Sequence, residues 1–189
     1  MEGAMPVLIV VGLDVLVPLI YVLGIYNRLV KLRYTIQESW SNVDTELKRR
    51  YDLIPNLVHT VKGYAQHERE VLESVVRARQ LAMQSTGTPA QQARDENEFV
   101  RTLRSLFAVV ENYPDLKASG NFLALQHELV NTEDRIQAAR RFYNGNVREY
   151  NVLVNSVPSN IVAGLFNFPE AEYFEVEDSG VREPVAVTL

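Results

Sequence analysis

The sequence predicts an all-α protein, with an N-terminal transmembrane helix followed by an antiparallel four-helix bundle. Three observations predict it. Residues 7–26 form a nearly uncharged apolar run, and the body repeats apolar residues every three or four positions. Before the tail, no stretch of comparable length alternates with period 2.

The run from Val7 to Tyr26 holds fourteen Leu, Ile or Val in twenty residues, with Asp14 and Pro18 inside it. At 1.5 Å per residue it covers ~30 Å, the thickness of a bilayer's hydrocarbon core. Its aliphatic residues contribute roughly −4 to −8 kcal/mol to insertion, against roughly 2.5 to 3.5 kcal/mol for Asp14. A cleaved signal peptide would want a basic start and small residues at its end, and neither is present. Arg28, Lys31 and Arg33 follow at once, so the positive-inside rule places the N-terminus outside and the body in the cytoplasm. Asp14 either faces a partner helix or is tolerated in its protonated form.

The first body segment carries Leu29, Leu32, Ile36, Trp40, Val43, Leu47, Tyr51 and Ile54, a seam at 3-4 spacing. Pro55 then interrupts it. A turn near Asp52–Pro55 balances the bundle better than one fused helix, so the sequence predicts a turn there. A second segment runs from about Pro55 to Gln84, and Ser85–Ala90 reads as a loop, with Thr88 capping a helix that starts at Pro89. The third segment carries Phe99, Leu103, Leu106 and Val110 and ends at Asn112–Asp115. The fourth is the most regular, from Phe122 to Val157, and stops at Pro158. The expected organisation is a short extracytoplasmic N-terminus (1–6), the transmembrane helix (7–26), the helical bundle (27–167) and an acidic tail (168–189). That tail holds six acids and one base, whereas the remaining residues hold 18 of each, so the whole net charge of −5 lies there.

The chemical inventory is thin. The chain has no cysteine, which removes disulfides, thiolate nucleophiles and Cys-based zinc sites. His67-Glu68 and His127-Glu128 each begin a zinc-protease HExxH motif and lack its second histidine. No Glu stands three residues before a His, as a di-iron bundle requires. No GxSxG, phosphate loop or dinucleotide fingerprint occurs. The acidic balance argues against nucleic acid. No cofactor and no catalytic or metal-binding residue is expected.

What remains are polar groups on helical faces. Lys48-Arg49-Arg50-x-Asp52 and Glu133-Asp134-x5-Arg140-Arg141 hold opposite charges that can pair within or between helices, or simply be solvated. A Tyr-Asn-x-x-Val pattern stands at Tyr26, Tyr143 and Tyr150, the last two being seven residues apart. Each tyrosine body suits a core while its hydroxyl seeks a partner, and an adjacent Asn can fix register or line a recognition groove. The candidate interaction residues are therefore Asp14, Arg49, Arg50, Asp52, Tyr143, Asn144, Tyr150 and Asn151.

Several runs, taken together, resemble the LemA family of bacterial membrane proteins. They include Tyr26-Asn27-Arg28-Leu29-Val30, Trp40-Ser41-Asn42-Val43-Asp44, and the long run from Leu47-Lys48-Arg49-Arg50 through Pro55-Asn56-Leu57-Val58. Others are Glu111-Asn112-Tyr113-Pro114-Asp115, Thr132-Glu133-Asp134-Arg135-Ile136, the doubled Tyr-Asn motif and Pro158-Ser159-Asn160. The resemblance covers about Tyr26 to Glu175. It implies a membrane anchor, a four-helix-bundle body and no accepted enzymatic activity. Asp14 and Pro18 depart from a plain apolar anchor, and Ser119-Gly120 departs from the usual start of the last helix. The expectation is a non-enzymatic, single-pass scaffold or adaptor of the bacterial inner membrane, touching lipid through residues 7–26 and a protein partner at the membrane. The alternative is a homo-oligomer or coat that organises the bilayer.

Overall fold

The computed structural model describes the backbone of residues 4–176 and the side chains of Asp14 and of residues 16–176. Expectations that fall on residues 1–3 and 177–189 lie outside the described residues. Six helices and no strand form among those described: α1 Ala4–Tyr64, α2 Arg69–Gln84, α3 Pro89–Val110, α4 Pro114–Lys117, α5 Gly120–Asn155 and α6 Ser159–Leu165. The all-helical reading holds. The predicted capping box at the start of α3 is also present: the Gln91 N–H donates to Thr88 Oγ1, and the Thr88 N–H donates to Gln91 Oε1 at 3.2 Å.

The transmembrane helix over 7–26 is not supported. No helix among the described residues is long and apolar enough to cross a membrane. Within the run, Asp14 puts an ionisable side chain among the aliphatic residues. Asn27, Arg28, Lys31 and Arg33 then dilute any longer window. The single-pass orientation derived from that span loses its basis with it.

The predicted turn at Asp52–Pro55 is replaced by continuous helix, and the chain reverses instead at 65–68. The physical reason is visible at one carbonyl. Pro55 has no N–H to give to the Tyr51 carbonyl four residues earlier. Arg79 Nε, from α2, donates to that oxygen at 2.6 Å in its place. Pro55 itself faces solvent, while Ile54, Leu57, Val61 and Ala65 carry the buried seam past it.

The residues divide into two compact units, with α1 and α5 contributing to each. Unit 1 comprises the chain up to Trp40 and Phe142–Ala171. Its core joins Leu29 and Leu32 of α1, Tyr150 and Leu153 of α5, Ala163 of α6 and Phe168. Tyr26 packs edge-on against Phe166 and Phe168, at centroid distances of 4.9 and 5.7 Å. Unit 2 comprises Ser41–Arg141 and the chain from Glu172. It is a helical bundle whose buried residues include Val43, Leu47 and Leu57 of α1, Leu72 and Val75 of α2, Phe99 and Leu106 of α3, and Phe122 and Leu129 of α5.

Candidate functional site

Unit 2 contains a buried polar cluster that no amphipathic seam would hold by preference. Arg50 on α1 and Glu96 on α3 are both almost fully buried. The two ends of the Arg50 guanidinium fork reach different helices. Nη2 pairs with Glu96, and Nη1 donates to Glu133 Oε2 on α5 at 2.8 Å. The Tyr51 hydroxyl donates to the other Glu96 oxygen. The Phe99 ring lies 5.3 Å from the Arg50 guanidinium carbon and meets the Tyr51 ring at 5.8 Å, tilted by 60°. A single arginine thus ties three helices, its planar fork presenting separate nitrogens to the two carboxylates, where an ammonium would have to share one.

Burial sets the protonation chemistry. Desolvation pushes the Glu96 carboxyl above its ordinary range, against the pull of Arg50 and the hydrogen bonds from Tyr51 and Arg50. Desolvation also raises Tyr51, and Glu96 raises it further. Burial works against the Arg50 charge, but Glu96 and Glu133 outweigh it, so the guanidinium is held more firmly protonated. Arg50 Nε is buried without a hydrogen-bond partner. Both Glu96 oxygens are occupied, and the residue has no exposed surface. The cluster is a buried cross-tie between α1, α3 and α5.

Beside the cross-tie lies a groove of about 560 Å³. α3 supplies Val100, Leu103, Arg104, Phe107, Ala108 and Val110, Glu111 follows at its C-cap, and α5 supplies Phe122, Gln126, Leu129, Val130 and Glu133. Lys117 of α4 and Arg50 complete it. Phe107 and Phe122 meet edge-on at 6.3 Å. On α3 the apolar residues step by three and four over about three turns, and on α5 Phe122 and Leu129 stand seven apart with Gln126 between them, so the floor is buried bundle core with exposed Arg104, Glu111, Lys117 and Val130 at its rim. Among the described residues no group of His, Asp or Glu could hold a metal ion.

The candidates from the sequence scatter. Asp14 and Asp52 are exposed on α1. Arg49 makes a surface contact with Glu46 at 3.7 Å, and its neighbour Lys48 pairs with Asp44 at 2.6 Å. Only Arg50 enters the buried cluster. In unit 1, Tyr143 is buried with its ring 5.2 Å from Trp40, and Asn144 is half-buried beside it. The second Tyr-Asn pair clamps an irregular segment. Tyr150 donates to the Pro169 carbonyl at 2.8 Å, and Asn151 exchanges two hydrogen bonds with the Ala171 backbone at 2.8 and 2.9 Å. Sequence reasoning missed Glu96, although it stands three residues before Phe99, where the α3 seam calls for an apolar side chain. It also missed the groove residues, which read individually as core.

Magnetosome protein MamQ 2 of Paramagnetospirillum magneticum is 26% identical, covering 82% of this chain and 66% of its own length. MamQ of Magnetospirillum gryphiswaldense is 24% identical over the same shares. The chain therefore spans just under two thirds of the MamQ relatives. Protein LemA of Metamycoplasma hominis is 26% identical over 84% of this chain and 76% of its own length. The profile of the LemA family matches residues 39–189, which include the cross-tie, the groove and the Tyr-Asn clamp, and on that match the chain belongs to the LemA family.

Proposed function

We propose that this chain is a non-enzymatic helical adaptor, and that the groove of unit 2 receives an apolar segment of a protein partner. The observation that carries this reading is the occupied state of the polar cluster. Its buried carboxylate is engaged within the bundle, and the feature beside it is a groove with a buried apolar floor and with Phe107, Ala108, Val130 and charged side chains toward its mouth. Such a surface suits a helix-in-groove partner, whose anchors recur at three- and four-residue spacing. The relatives support the class of function, since none of their names denotes a reaction.

A photoreactive amino acid placed at Ala108 or Val130 in the full chain tests the reading in cells. The expected result is one discrete adduct from these groove positions that is absent when the probe sits at exposed Leu81. The adduct should vanish in Leu103→Glu or Leu129→Asn if the variant still melts cooperatively. Uniform labelling from all positions, or none from the groove, would refute the adaptor reading.

A further inference from the structure

α6 presents apolar residues on two sides. Val162 and Ala163 face inward and are buried, while Ile161 and Leu165 are exposed one turn apart. Val157 just before the helix is 80% exposed, Leu165 is 70% exposed, and Phe166 beyond it is half exposed. The contact of Phe166 with Tyr26 sets this patch against α1. There, Leu23 and Leu19, also half exposed, stand one and two turns before Tyr26 on the same face. Monomeric proteins in water rarely leave such a contiguous surface uncovered.

Charge says what covers it. Between Glu149 and Glu170 there is no Asp, Glu, Lys, Arg or His, so the patch carries no ionisable charge apart from the tyrosine hydroxyls. Along α1 no acid occurs between Asp14 and Glu38, whereas Arg28, Lys31 and Arg33 follow Tyr26 within two turns. Arg28 pairs with exposed Glu149 at 3.0 Å, and Arg33 lies over the Phe168 ring at 5.4 Å. An apolar rim followed at once by bases and tyrosines is the pattern of a surface that sits at the boundary between acyl chains and anionic headgroups. A two-fold copy of the same chain on this patch would bring the same bases toward one another.

We infer that α6 and the turn before it form a lipid-contact element, in which Val157, Ile161, Leu165 and Phe166 seat unit 1 on an anionic bilayer surface while Lys31 and Arg33 meet the headgroups. This element lies in the interface and spans nothing. It is separate from the groove of unit 2, so either assignment stands or falls without the other.

The absence of native cysteines allows a direct test. Ile161→Cys and Leu165→Cys in the full chain would carry an environment-sensitive fluorophore, with Leu81→Cys in α2 as the reference. On vesicles of phosphatidylcholine with phosphatidylglycerol, the labels at 161 and 165 should shift to the blue. They should also lose emission when the acyl chains are brominated, and the label at 81 should do neither. Removing phosphatidylglycerol, or replacing Lys31 and Arg33 by Gln, should weaken the response about tenfold. Silence at both positions on anionic vesicles overturns the inference. So does a shift that needs no vesicles and grows with protein concentration, which would identify a second copy as the occupant. A response indifferent to lipid charge overturns the role given to the bases.

Discussion

Arg50 shows most clearly how one residue sets the behaviour of its surroundings. Removing it leaves Glu96 buried without its counter-charge, which costs about 3 to 5 kcal/mol. The pH dependence distinguishes this from lost packing. Glu96 already titrates above its ordinary value of 4.5 because of desolvation, and Arg50 holds it down. A carboxyl with a raised folded pKa binds more protons folded than unfolded, so stability falls as pH climbs from the unfolded value through the folded one. In Arg50→Met that window widens upward. The penalty relative to the parent should therefore be smaller at about pH 4 than at pH 7, as urea unfolding at the two values would read. An equal penalty at both would show that Glu96 does not titrate in response to Arg50. Pro55 makes a second residue-scale case. Arg79→Met should cost about 1 to 2 kcal/mol in the parent, because the Tyr51 carbonyl loses its donor. In Pro55→Ala the restored N–H should recover most of that cost. Strict additivity in the double-mutant cycle would rule out the exchange of donors.

At the scale of elements, the sequence announced the helices through their seams and misjudged where one of them ends. The start of α3 was legible because Thr88-Pro89-Ala90-Gln91 is a local signal, satisfied by atoms three residues apart. The break assigned to Pro55 failed because its remedy is not local. Arg79 lies 24 residues on, and nothing near Pro55 reveals that a donor will arrive from α2. The buried seam continuing through Leu57 and Val61 was the contrary signal, and it outweighed the proline. Glu96 was hidden for a related reason. Its partners come from α1, so its tolerance on an apolar seam depends on pairing that the α3 sequence does not contain. The doubled Tyr-Asn motif was recognised as a pattern, but its receiving segment, Pro169–Ala171, has no periodicity to declare it. Asn151→Leu should loosen that segment. We expect a loss of about 2 kcal/mol and faster limited proteolysis between 169 and 176, with α5 itself still protected. Unchanged cleavage would mean that Phe168 and Phe174 hold the segment alone.

For the whole molecule, composition located the charge and left the groove of unit 2 and the surface of α6 unmarked. The even balance of acids and bases before residue 168 reads as an ordinary solvated exterior, and much of it is: Lys48–Asp44 and Arg101–Glu98 are exposed helical pairs. Apolar groups stay uncovered in the collar around α6, whereas the groove of unit 2 has a floor of buried side chains and opens at half-buried Phe107 and exposed Val130. Neither has a sequence signature, because exposure is a property of the fold and not of a residue type. The adaptor reading makes a prediction at this scale too. Dialysis of the full chain against a chelator should leave its thermal unfolding midpoint unchanged. A drop of several degrees, restored by one divalent ion, would reopen the case for a metal enzyme.

The exchange at the Tyr51 carbonyl also bears on the order in which the chain can fold. Up to Tyr51 the backbone of α1 can satisfy itself, but the turn at Pro55 keeps an unpaired acceptor until the hairpin to α2 has closed. The C-terminal part of α1 is thus not an independent rod onto which the other helices condense. It matures together with α2, through a contact that joins residues 28 apart in the chain. In kinetic terms, conservative truncations at Leu57 and at Val75 should slow folding to similar degrees and give matching φ-values. A high value at Leu57 beside a value near zero at Val75 would instead mean that the helix crosses its proline first and waits for its arginine.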